Sequence, residues 1–122
     1  MKKLPEDFKA KWVEALRSGE FIQVKNYLKD PLYDAQGNET DDIGYCCLGV
    51  ACVVNRPSER LPFCTDIPQP GMLDDEVYHV LDQEIEKDAF GTKTNFFLKL
   101  AGMNDGDNKS FAEIADWIEE NL

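Results

Sequence analysis

From Cys47 to Val54 the chain runs Cys47-Leu48-Gly49-Val50-Ala51-Cys52-Val53-Val54, with no polar side chain in the stretch. A helix that is apolar all round has no face to turn to water, so it is surrounded by the rest of the domain. A glycine inside such a helix lets a neighbouring element approach closely, and Gly49 occupies that place. The expectation is a buried helix over Cys47–Val54 at the centre of the fold, with every other element arranged around it.

The cysteines frame this segment as Cys46-Cys47-x4-Cys52-x11-Cys64. Adjacent cysteines are poor disulfide partners, because a single trans peptide sets the wrong Cα separation. The N-terminus, Met1-Lys2-Lys3-Leu4-Pro5-Glu6, has no apolar stretch behind its lysines, so no export signal is legible and reduced thiols are expected. Structural zinc favours paired Cys-x2–4-Cys or His-x3–5-His knuckles, which the lone His79 does not supply. On a helix Cys47 and Cys52 do not share a face well. The cysteines therefore read as inert core thiols, with no metal and no cofactor expected. A Cys46–His79 enzyme can be drawn on paper, but apolar surroundings disfavour a thiolate, so the chain leans away from catalysis.

Two helices flank the sequence. The first has Pro5 at its first position, Glu6 and Asp7 in the first turn, Arg17 in the last and Gly19 as its stop. Its apolar stripe is Phe8, Trp12, Ala15 and Leu16. The last begins at Ser110 with Glu113 completing a capping box, and carries Phe111, Ile114, Ala115, Ile118 and Leu122 on one face. Between them, Phe21–Leu28 alternates as a strand, Asp34-Ala35-Gln36-Gly37-Asn38 is a turn and Ile43–Cys46 returns, giving a β-hairpin. Asp74–Phe90 reads as a long helix, and Phe96–Ala101 as a short one stopping at Gly102. Asp105-Gly106-Asp107-Asn108-Lys109-Ser110 resembles a calcium loop only superficially, because Lys109 falls at a ligand position; it reads as a turn. The sum is one α+β domain over residues 1–122, three to four helices packed around a short hairpin.

Charge narrows the partners. The chain carries −11 overall. Residues 1–65 hold 10 acids against 9 bases, whereas residues 66–122 hold 14 against 4. That balance argues against direct nucleic-acid binding, which rests on Lys and Arg contacts to phosphate. With no apolar run near the roughly 20 residues a bilayer requires, no membrane span is expected. Two clusters carry a binding reading. Arg17, Gln23, Lys25 and Tyr27, with Tyr45 stacking, are candidates for a small anionic, nucleotide-like ligand. Asp75, Asp82 and Glu86 share a face of the expected long helix and are candidates for a basic protein partner, or for imitation of nucleic acid. Each cluster also has a plainer reading, as solvated surface that keeps the protein soluble.

Three stretches together resemble a family of small uncharacterised proteins of tailed phages and prophages. They are Trp12-Val13-Glu14-Ala15-Leu16-Arg17-Ser18-Gly19-Glu20-Phe21-Ile22-Gln23, then Tyr45-Cys46-Cys47-Leu48-Gly49-Val50, then Met103-Asn104-Asp105 with Ser110 to Glu119. Met103 stands where such sequences tend to have leucine, and the acidic stretch from Asp66 to Phe90 follows no part of their pattern. The resemblance implies an accessory or counter-defence role in the host cytoplasm. The expected mode is stoichiometric binding of a host protein or a small anion by a monomer or small homo-oligomer.

Overall fold

Helix α2 (Cys47–Asn55) forms on the apolar run, and the residues from Cys47 to Cys52 are all buried. In this computed structural model the described residues are 3–58, 60–63, 65–87, 91 and 93–122, with the backbone alone at 86 and 87. Around α2 stand α1 (Glu6–Ser18), β1 (Lys29–Tyr33), β2 (Glu39–Tyr45), α3 (Asp75–Asp82), β3 (Glu84–Lys87), β4 (Lys93–Asn95), α4 (Phe96–Asp105) and α5 (Phe111–Asn121). The class is α+β, as expected: five helices, one on each of the five helical stretches above, and two antiparallel two-stranded sheets among the described residues.

One hydrophobic cluster joins every helix. Trp12 is wholly buried between α1 and α2, where its Nε1 donates to the Cys47 carbonyl at 3.0 Å. That bond lets a large aromatic contribute its apolar area without leaving its one donor unsatisfied. Phe8 stacks on Trp12 with centroids 5.5 Å apart. Helix α5 lies along α1 and buries Phe111, Ile114, Ala115 and Ile118. Ser110 caps it, accepting from the Glu113 N–H at 3.2 Å while Glu113 Oε1 accepts from the Ser110 N–H at 3.3 Å. Helix α1 ends at Gly19, whose φ of 78° is the left-handed stop expected; Pro5 stands just before the helix rather than in its first turn.

Four boundaries differ from the sequence reading. The hairpin is real, but its first strand is β1 and not Phe21–Leu28; Cys46 leaves the second strand to cap α2. Residues 21–28 form a strap that pairs with β2 through a single parallel bridge, Gln23 with Tyr45, and Asn26 there takes a φ of 73°. A left-handed residue in the middle breaks the pleat that alternation alone would extend. The helix expected over Asp74–Phe90 ends at Asp82 and the chain continues as β3; residues 88–90 lie outside the described residues. As a helix this segment would place Asp82 beside Glu86, a like-charge pair four apart. Paired with β4 instead, Glu84 meets Lys93 at 3.5 Å. Helix α4 passes Gly102 and reaches Asp105, since a helix tolerates one glycine when its flanks pack well, and Phe96, Phe97, Leu100 and Met103 are buried.

Candidate functional site

The strap is held by polar contacts to the far end of α4. Asn104 is the one buried polar residue among those described, 1% exposed. Its Nδ2 donates to the Val24 carbonyl and to Asp105 Oδ1, both at 2.8 Å. Its Oδ1 accepts from Gln23 Nε2 at 2.9 Å and from the Cys47 N–H at 3.3 Å. Both donors and both acceptor positions of the amide are filled, which is what makes a buried asparagine tolerable. Gln23 also donates to the Lys109 carbonyl at 2.8 Å, Lys25 Nζ to Asn108 Oδ1, and the Asn26 N–H to Asp105 Oδ1 at 2.9 Å. Leu28 is anchored at the other end, its N–H on the Thr65 carbonyl at 2.7 Å and its carbonyl against Gly49.

Three of the five residues proposed for an anion, Gln23, Lys25 and Tyr27, thus sit on this strap, with Gln23 and Lys25 facing the α4 turn rather than an open site. Arg17 is elsewhere, clamped on α5: Nη1 reaches Glu119 at 2.8 Å and Nη2 reaches Asp116 at 2.6 Å. Hydrogen bonds from Glu119 first, then Asp116, raise the guanidinium pKa, and Arg17 in turn lowers that of Glu119. Tyr45 is half-buried, its ring edge against Phe21 with centroids 5.5 Å apart. The cluster is not one pocket. Of the acidic trio, Asp75 is exposed in the first turn of α3, and Asp82 accepts from Asn95 Nδ2 at 3.2 Å. Glu86 lies on β3, so it does not share a helical face with them; its side chain lies outside the described residues.

The three described thiols, Cys46, Cys47 and Cys52, are free and buried. Burial pushes Cys46 up to about 11 and Cys52 up to about 12, and raises Cys47 well above its ordinary value. Cys46 Sγ accepts the Gly49 N–H at 3.4 Å as the α2 cap, and Cys47 Sγ donates to the Leu100 carbonyl at 3.6 Å. His79 is exposed on α3 with its ring edge toward Tyr78, and no hydrogen bond joins it to Cys46. Among the described residues no cluster of three or more His, Cys, Asp or Glu side chains is placed to hold a metal ion; Cys64 lies outside them. Among the described residues no helix is long and apolar enough to cross a membrane.

Two surface openings bear on the candidate residues. A groove of about 930 Å³ runs between α1 and α5 over Ala10 and Val13, bordered by Lys9, Glu14, Arg17 and Glu119. A depression of about 510 Å³ lies between the strap and α4, lined by Asn26, Tyr27, Asp66, Ile67, Leu98, Ala101 and Asp105. Arg17 at the groove and Tyr27 in the depression are residues the sequence singles out as a site, and they fall in different openings. Asn104, which holds the strap in place, had a signal that went unread: it falls four after Leu100 and seven after Phe97, on the apolar stripe of α4. A polar residue at a core position needs internal partners, and here those partners come from the strap.

No curated protein and no solved structure matches the chain. A family match covers residues 4–87, from α1 to the end of β3, and so takes in the strap and much of the acidic stretch but neither α4 nor α5. With that match over more than half its length, the chain belongs to the DUF8296 family, a domain of unknown function.

Proposed function

We propose that this chain is a phage-encoded accessory protein of the counter-defence kind, acting in the host cytoplasm by stoichiometric binding of a basic host protein. The observation that carries the binding mode is the exposed acidic surface of α3, where Asp75, Glu76 and Asp82 all face solvent. It stands on a half of the chain with 14 acids against 4 bases. Such a surface speeds encounter with a basic partner and disfavours acidic ones. The phage setting is supported by the three sequence stretches that resemble phage and prophage proteins. A protein partner is favoured over a small anion because Arg17 and Lys25, the cations an anion would need, are already engaged by Glu119, Asp116 and Asn108. A thiol nucleophile is disfavoured by the buried, protonated state of Cys46.

Native mass measurement on the protein purified gently from its host tests this reading. The expected result is a complex carrying one further protein chain, lost steeply with salt and on the double substitution Asp75→Lys and Asp82→Lys. Two results would overturn it. One is turnover of nucleotides, peptides or esters that Cys46→Ser abolishes. The other is a captured protein indifferent to both charge reversals.

A further inference from the structure

The depression between the strap and α4 has a composition that specifies its occupant. One wall is Tyr27, 37% exposed and without a ring contact among the described residues. The opposite wall is Leu98, 50% exposed although it lies on a helix that buries its other large apolar residues. Half-buried Ile67 and Ala101 complete the apolar lining. Two carboxylates share this space. Asp66 is exposed and makes no hydrogen bond or ion pair among the described residues. Asp105 is half-buried and fixed by the Asn26 N–H and Asn104 Nδ2, both on its Oδ1, which leaves Oδ2 free. None of the seven lining residues is a cation.

An anion would meet two negative charges here. A purely apolar ligand would strip water from both carboxylates and return nothing. A metal ion would find too few ligands, since no group of three candidate side chains converges among the described residues. A basic side chain fits each element. Its aliphatic stem lies on Leu98 and Ile67, its charge meets Asp66 and Asp105, and a guanidinium can also lie over the Tyr27 ring. The volume of about 510 Å³ falls within the range of ordinary ligand sites. We infer that this depression is a recognition site for an arginine, flanked by apolar residues, on an exposed segment of a partner protein. The inference rests on the binding reading above and names the chemistry it recognises. The site is built from both sides of the family boundary: Tyr27, Asp66 and Ile67 lie within residues 4–87, whereas Leu98, Ala101 and Asp105 come after them.

The probe is a capped Leu-Arg-Leu peptide, with Leu-Gln-Leu as control, titrated into the full chain labelled with nitrogen-15. Saturable amide shifts confined to residues 26–27, 66–67 and 98–105, seen with the arginine peptide alone, are the expected result. Asp66→Asn should weaken the interaction about fivefold, as for one partly exposed charge pair. Tyr27→Leu keeps the apolar contact, loses the ring face and should cost about threefold. Both side chains are on the surface, so an unchanged spectrum without peptide verifies the fold of each variant. Equal response to the two peptides, or affinity untouched by both substitutions, would overturn the inference. That failure would leave host-protein binding through α3 standing. Peptide binding without any host partner would do the reverse.

Discussion

Helix α5 and the strap over residues 21–28 are both held firmly, by opposite means. The helix carries its own instructions: Ser110 and Glu113 satisfy its first turn reciprocally, and its apolar stripe needs only some surface to lie on. The strap has no ladder of its own. Its backbone is satisfied by Tyr45, Cys46, Thr65, Asn104 and Asp105, residues 18 to 80 positions away in the chain. Locally encoded structure fails by degrees when one group is lost. Structure held at a distance fails together, because each contact is in place only while the others are.

Gly49→Ala should break the strap most completely. A Cβ there would sit 2.8 Å from the Leu28 carbonyl carbon and closer still to its oxygen, and both atoms are backbone. Neither element can yield by turning a side chain, so Leu28 must leave its place. We expect a loss of about 3 kcal/mol or more, the upper part of the range for overpacked cores. Denaturant unfolding measures it; a stable Gly49→Ala protein would mean that α2 and the strap are further apart. Asn104→Ala comes next. It orphans the Val24 carbonyl and the Cys47 N–H in a dry place, at about 2–3 kcal/mol. Amide exchange separates the two regions: residues 21–28 should lose protection in this variant while α5 keeps it.

That contrast also explains what could be read from the sequence. The apolar run predicts α2, and Ser110 with Glu113 predicts α5, since each signal is complete within a few residues. The alternation of Phe21–Leu28 is equally local, yet what decides its structure is Asn104, some 80 residues on, and the close approach at Gly49. The long helix over Asp74–Phe90 fails for a related reason. Its apolar stripe is real as far as Leu81, but the charges after Asp82 settle better in a strand opposite Lys93. The depression was legible only at Tyr27, because its lining comes from three separate stretches that meet only in the fold.

On the locally encoded side the expected effects are smaller and additive. Ser110→Ala should cost about 1 kcal/mol, leaving the strap's protection unchanged. The Arg17 clamp is smaller again, being exposed on both sides and screened by salt. Its signature lies in the pH dependence. Arg17 holds the Glu119 pKa below its ordinary 4.5, and Ser110 does the same for Glu113. A carboxylate with a depressed folded pKa stabilises the fold above its unfolded value, and that contribution is lost as pH falls through the folded one. Melting temperature should therefore drop as pH falls below the ordinary 4.5 of these carboxylates. In Arg17→Gln the Glu119 share of that drop disappears and the Glu113 share stays; in Ser110→Ala the Glu119 share stays and the Glu113 share shrinks only by what the hydroxyl supplies, because the Ser110 N–H, the larger cause, remains. If the acid sensitivity of Arg17→Gln equals that of the unaltered protein, the Arg17 clamp between α1 and α5 contributes nothing in solution, and α5 is held by its cap, its apolar stripe and the lysine contacts to its last turn.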